Sequence, residues 1–195
     1  MGSAHIKLIA HPAHPPRAVR GVRVDVEYVL ERPGTIHFNL RFDVIAPGGI
    51  IAGVTPDGSL PVPRDPTDGL WRGTCFELFA GGDGFSPPHE YYEWNFAPDG
   101  RWAGYRFTGY RELAGPVDMP PRAVSVESGG GGGMTLTVAA PFLPVAGPRT
   151  RLGLSAVIVE EGGPTSYWAL RHPLARPDFH HRDCFDQVLG APDEA

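Results

Sequence analysis

The placement of glycine and proline constrains this chain more than any other feature. Its 26 glycines and 22 prolines make up about a quarter of the 195 residues, a share at which disorder has to be considered. They are not gathered into one disordered tract. They fall as punctuation between short runs of aromatic and β-branched residues, which is the pattern of many strands joined by turns. No segment carries a long helical period. The expected fold class is all-β with very little helix, as one domain over residues 1–195 with an irregular tail from about 171 to 195.

The runs themselves alternate. Arg23–Tyr28 sets Val24, Val26 and Tyr28 against Arg23, Asp25 and Glu27, and Thr35–Asp43 sets Ile36, Phe38, Leu40 and Phe42 against His37, Asn39, Arg41 and Asp43. Period two with one wet face marks half-buried strands, and Glu31–Gly34 reads as the turn between them. Further strands are expected at Thr74–Ala80, Tyr91–Ala97, Arg101–Thr108, Ala123–Glu127, Met134–Ala140, Arg151–Val159 and Ser166–Leu170. Ala46–Leu70 reads as a long loop. Ala97-Pro98-Asp99-Gly100 reads as a tight turn, with proline at the first central position and glycine free to take positive φ. Ser128 and the five glycines after it lack the Lys-Ser/Thr and the helix that a phosphate loop needs, so they read as a hairpin tip. In the tail, at most a helical turn or two is expected around Asp183–Leu189.

Charge and cysteine usage narrow the class. The net charge is −5 and the basic residues are scattered, with Lys7 the single lysine. Without a basic stripe, nucleic acid is not an expected partner. No apolar run reaches membrane-spanning length, and the N-terminus lacks a basic start followed by an apolar stretch. The expected location is cytoplasmic, although MGSAH also fits the remnant of an appended or processed leader. Cys75 and Cys184 are too few for a disulfide framework, and Cys75 reads as a small buried hydrophobe.

Chemistry concentrates in Gly69–Arg111, which holds three of the four tryptophans. With Pro98–Gly100 as a three-residue loop, Asn95 pairs with Ala103, Glu93 with Tyr105 and Tyr91 with Phe107 on one face. Tyr92 pairs with Arg106, Trp94 with Gly104 and Phe96 with Trp102 on the other. Glu93, Asn95 and Tyr105 thus share a face, and alternation lets Glu77 join them. Two carboxylates in one pocket push a pKa up, which supplies an acid and a base. The plainer alternative has Glu77 and Glu93 facing solvent or pairing with Arg106 and Arg111. Trp71 follows a polar loop and is the best candidate for an exposed ring. In the tail, Arg171, His172, Asp178, His180 and His181 lie close together but lack ligand spacing on a regular element, so no metal is expected. An Arg171–His172 edge suits closing a pocket over an anionic or hydroxylated ligand.

LWRGTCFELF, YYEWNFAPDGRWAGYRFTGYR and SYWALRHP with PDFH, together with the opening LIAHPAHPP, resemble the bacterial DOMON-like proteins related to family-nine carbohydrate-binding modules. The resemblance runs from about Leu8 to Phe185. It implies an antiparallel β-sandwich of two sheets with a ligand pocket on a concave face, and sugars or haem as ligand classes. In sugar-binding relatives an aromatic pair clamps the ligand, which implies Trp71 with Trp94 or Trp168 here. Haem-binding relatives use Met and His, and Met1, Met119 and Met134 do not match that pattern, so no cofactor is expected.

Two principal functions follow. The first is a module binding a small carbohydrate or another hydroxylated or aromatic molecule through Trp71, Glu77, Glu93, Asn95, Tyr105, Trp168, Arg171, His172 and His180. The second is a cofactor-independent lyase, isomerase or hydrolase with Glu93 or Glu77 as base and His172 or His180 as acid. A haem or metal protein using His180 ranks third. The expected partner is a small-molecule ligand, with neither nucleic acid nor membrane.

Overall fold

The computed structural model describes all residues except 32–34, 50, 52, 54–57, 61, 64, 82–89, 130–131, 142, 145–148 and 191–195. The molecule is an antiparallel β-sandwich, 57% strand, with no helix of seven residues or more. In chain order the strands are β1 (Gly2–Ala10), β2 (Gly21–Glu31), β3 (Thr35–Ile45), β4 (Gly58–Leu60), β5 (Cys75–Gly81), β6 (Tyr91–Phe96) and β7 (Trp102–Gly109). They continue with β8 (Glu112–Pro116), β9 (Ala123–Ser128), β10 (Gly133–Ala139), β11 (Leu143–Pro144), β12 (Arg149–Val159), β13 (Thr165–Ala169) and β14 (Gln187–Gly190). Two single 3-10 turns, Leu70–Arg72 and Arg182–Cys184, complete the described elements.

The strands hydrogen-bond in the order β4-β9-β10-β3-β2-β1-β13-β12-β5-β6-β7-β8. β1 joins the two layers: residues 2–8 pair with β2, and Ile9 and Ala10 pair with Ala169 and Trp168 of β13. Alternation decides what lies between the layers. Val22, Val24, Val26, Phe38, Leu40 and Phe42 come from one side, and Phe76, Leu78, Trp94, Phe96, Leu154 and Trp168 from the other. Phe42 and Phe76 meet across the gap at 5.0 Å between ring centroids. Burial of this apolar face on both layers is the main force holding them together.

The β6–β7 hairpin has the register expected from its turn: Phe96 opposes Trp102, Trp94 opposes Gly104, Asn95 opposes Ala103 and Glu93 opposes Tyr105. Gly100 takes φ 86°, and Asp99 accepts from the Arg101 N–H at 3.1 Å to close the turn. Gly104 is required where it stands, because a Cβ there would lie 2.7 Å from Val117 Cγ2 and 3.2 Å from Trp94 Nε1.

Several elements differ from expectation. Gly2–Ala10, for which no strand was expected, is a full strand, and its pairing with β2 and β13 is what orders it. In the tail, the 3-10 turn ends at Cys184 and the chain then runs as β14 against Arg149–Leu152 of β12. The open edge of β12, not local propensity, makes that strand. Part of the long loop, Gly58–Leu60, pairs with β9. The turn centre at residues 32–34 and the middle of the polyglycine tip lie outside the described residues, as do parts of the long loop.

Candidate functional site

The outer face of the layer β13-β12-β5-β6-β7 is the unusual one. A sandwich normally leaves its outer faces to water and polar side chains. Here all seven residues of β5 are buried, so this outer face is covered too. Leu70 of the first 3-10 turn packs with Cys75, Ala97, Ala103 and Val157, and Phe179 approaches this group. Cys184 and Phe185 of the tail pack with Phe79, Tyr91 and Phe107. Between these two apolar clusters runs a row of buried polar groups.

Register builds that row. Ser155 of β12 opposes Glu77 of β5, Glu77 opposes Asn95 of β6, and one pair further along Phe79, Glu93 and Tyr105 stand side by side. Glu77 is 2% exposed, Glu93 5% and Asn95 fully buried. Ser155 Oγ donates to Glu77 Oε2 at 2.7 Å. Asn95 Nδ2 donates to Glu93 Oε1 at 2.7 Å, and the Cys75 thiol lies 3.3 Å from Asn95 Oδ1. Each carboxyl is therefore partnered by a neutral donor rather than by a cation. Burial, and then the nearby Glu93 charge, raises Glu77 to about 8. Burial raises Glu93 to about 7, against the opposing pull of Asn95 and Arg111. The pairing of Glu77 and Glu93 with Arg106 and Arg111 does not occur: Arg106 bonds Glu90 at 2.6 Å and Arg111 bonds Asp178 at 2.9 Å.

The tail supplies His180 above Glu93. Its Nε2 lies 3.6 Å from Glu93 Oε2, and its Nδ1 meets the Tyr91 hydroxyl at 2.8 Å. The ring is wedged against Phe79 and Phe107, at 5.3 Å and 5.0 Å between centroids. Burial first, then the Arg111 charge, lowers His180 to about 4. Asp178 anchors this stretch of tail by accepting from the Arg111 guanidinium, from the Tyr110 hydroxyl and from the His180 N–H. Burial alone would raise Asp178, and these hydrogen bonds outweigh it and hold the group below the usual carboxylate value.

Aromatic rings form the outer rim. Trp71 is 40% exposed and meets Tyr105 edge-on at 6.0 Å. Tyr105 is half-buried and donates to Asp68 Oδ1 at 2.5 Å. On the tail side Phe179 lies 6.3 Å from Tyr167. A separate cavity of about 1030 Å³ adjoins the row. Its lining includes Tyr91, His180, Arg151, Arg171, Arg182 and Phe185, but not Glu77, Glu93, Asn95 or Tyr105. Tyr91 and His180 thus form the wall shared by cavity and row.

Of the residues expected at a site, Glu77, Glu93, Asn95, Tyr105, Trp71 and His180 gather on this face. Four, Trp168, Trp94, His172 and Arg171, do not join the row. Trp168 is 4% exposed in the inter-layer core and donates from Nε1 to Ser166 Oγ, because even-numbered residues of β13 point inward. Trp94 is in the same core, so neither can partner Trp71 in an aromatic clamp. His172 is turned away, with Nε2 on the Ile9 carbonyl at 2.8 Å and its ring against His11. Arg171 pairs with Asp186 at the cavity. Alternation placed Tyr91 on this face and Asp178 was named in the tail cluster, though neither was named as a binding residue. Ser155 and Asp68 were not anticipated, because they depend on which strands and loops become neighbours. Both cysteines are buried and free. Among the described residues no group of three or more His, Cys, Asp or Glu converges to hold a metal ion, and no helix is long and apolar enough to cross a membrane.

No family model matches this chain, and no curated protein matches it in sequence. Its fold is similar to that of a crystal structure from Bacteroides uniformis described as a "putative carbohydrate-binding protein". The TM-score is 0.56 at 13% sequence identity, covering 91% of this chain and 81% of that one. At that identity the likeness is one of fold.

Proposed function

We propose that this chain is a ligand-binding β-sandwich protein whose ligand is a carbohydrate or a comparable hydroxylated small molecule. The ligand is held on the outer face of β5, β6 and β7, with Glu93, Glu77, Asn95 and Tyr105 as polar partners and Trp71 as a stacking ring. The observation that carries this reading is the row of buried carboxyl and amide groups on an outward-facing side of the sheet, beneath partly exposed aromatic rings. Buried carboxyls without a cationic partner are costly, and their persistence here favours a role outside folding. Carboxyl and amide groups beside an aromatic ring are the usual complement of a polyhydroxylated ligand. The fold shared with the Bacteroides uniformis protein adds support.

A second reading has its own observation. Two buried carboxyls raised to about 8 and about 7, with an imidazole 3.6 Å from one of them, suit general acid–base chemistry near neutral pH. In that reading Glu93 is the base, and Glu77 or His180 handles the second proton. His172 drops out because it is bonded to the Ile9 carbonyl.

One substitution separates the two. Calorimetric titration with a panel of monosaccharides and disaccharides should find a ligand for the wild type. If the site only binds, Glu93→Gln weakens it by roughly 1.5–3 kcal/mol, the value of a hydrogen bond to a charged group. If Glu93 is a catalytic base, the variant keeps its affinity and loses turnover by about a hundredfold or more. A wild type that binds no member of the panel contradicts the first reading.

A further inference from the structure

The contacts of His180 carry the argument beyond a general preference for hydroxylated ligands. The Tyr91 hydroxyl oxygen accepts the backbone N–H of Arg111 at 3.1 Å. The hydroxyl proton needs an acceptor of its own, since the group is buried. Among the described residues the one such acceptor in reach is His180 Nδ1, at 2.8 Å. Tyr91 is held as a neutral phenol, because burial raises it to about 12. Nδ1 therefore carries the lone pair, and the neutral imidazole bears its proton on Nε2. This assignment follows from the hydrogen-bond network.

Nε2–H then faces Glu93 Oε2 at 3.6 Å, beyond good hydrogen-bond distance. Glu93 Oε1 is already occupied by Asn95, whereas Oε2 accepts no hydrogen bond from a described residue. A fixed donor and a free acceptor stand next to each other without satisfying one another. The His180 and Glu93 side chains are 16% and 7% exposed. His180 also lines the 1030 Å³ cavity.

We infer that His180 Nε2–H and Glu93 Oε2 together hold one ligand hydroxyl, which accepts from the imidazole and donates to the carboxyl, and that Tyr91 is the positioning residue that fixes the donor tautomer. This deepens the hydroxylated-ligand reading and rests on it. A group placed beside both atoms must accept and donate at once. An alcohol does so, an ether or carbonyl oxygen cannot donate, and an ammonium cannot accept. The pair therefore selects alcohols over methyl ethers and amines. Tyr91 acts through His180 and does not itself touch the hydroxyl.

The tautomer is read without any ligand. Long-range ¹H–¹⁵N correlation spectra of the wild type at pH 7 should show His180 as the Nε2–H tautomer. Tyr91→Phe keeps the ring stacked on Phe107 at 4.7 Å but removes the hydroxyl, and should mix in or favour the Nδ1–H form. Near-ultraviolet circular dichroism checks that the variant remains folded. A wild-type ring that is Nδ1–H or doubly protonated at pH 7, or a tautomer unmoved by Tyr91→Phe, would overturn the role of Tyr91. Binding is read with the same sugar panel, adding for each binder its single-deoxy and single-O-methyl derivatives. One hydroxyl should be intolerant of both changes, by roughly tenfold or more, and Tyr91→Phe should erase that discrimination. If sugars bind but no hydroxyl shows it, the hydroxyl pair is wrong and the broader reading stands. If no sugar binds, both the broader reading and the hydroxyl pair fall, while the spectra still decide the tautomer.

Discussion

Glu77 is the residue with the most consequential environment. Its carboxyl is buried beside Glu93 and bonded to a hydroxyl, so it holds its proton in the folded protein up to about pH 8, far above the ordinary 4.5. The unfolded chain binds fewer protons than the native one between those values. Stability from this group is therefore greatest at low pH and declines as pH rises toward 8. His180 works the other way. Its native value of about 4 lies below the ordinary 6.5, so its contribution rises with pH from 4 and levels off above 6.5; His172, also lowered by burial, behaves alike. Between pH 6.5 and 8 the histidine contributions level off, and comparison with Glu77→Gln isolates the carboxyl. Chemical denaturation across this window should show stability falling by on the order of 1 kcal/mol per pH unit. Glu77→Gln should flatten the slope, and an equal slope in the variant would show that Glu77 is not the group responsible. At this scale the sequence was informative about faces and poor about partners. Alternation put Glu77, Glu93, Asn95 and Tyr105 together because a strand's period is fixed by covalent geometry. Trp168 was a candidate binding residue through the resemblance, and its burial was not legible because it depends on which face the second layer covers.

Among elements, the β7–β8 turn and the tail act as one clasp. Arg111, a non-glycine residue at φ 58°, stands at that turn with Tyr110, and the pair grips Asp178. Asp178 in turn caps the His180 N–H and brings the imidazole over Glu93. Asp178→Asn removes the charge that both grips depend on. Hydrogen exchange at residues 178–186 should then quicken by roughly tenfold, with the inter-layer strands unchanged. Uniform acceleration over the whole chain would mean instead that the clasp supports global stability. Central strands were legible because long alternating runs identify themselves, as at Thr35–Asp43. β14 and β8 were not, since four or five residues cannot show a period and their pairing comes from an open neighbouring edge. β1 was missed for a different reason. Ala4, Ile6 and Leu8 do alternate with Ser3, His5 and Lys7, but the stretch was weighed as an N-terminal leader rather than as a strand, and it connects the layers.

For the whole molecule, the distinguishing property is a sandwich that covers one of its outer faces. The 3-10 turn at Leu70–Arg72 and the tail bring apolar residues over β5 and β6 and leave a buried polar row between them. The expectation of an all-β sandwich followed from glycine and proline spacing and from resemblance. That a second covered surface would form was not legible, because it depends on contacts between Leu70, Phe179 and Phe185 and strands far away in the chain. In the proposed function the ligand sits on this covered face. Residue-resolved NMR chemical-shift mapping with a sugar that binds the wild type decides whether it does. Perturbed signals should cluster at Trp71, Glu77, Glu93, Asn95, Tyr105 and His180. Perturbations confined to the other layer, around Arg23, Asp25 and Arg41, would contradict it.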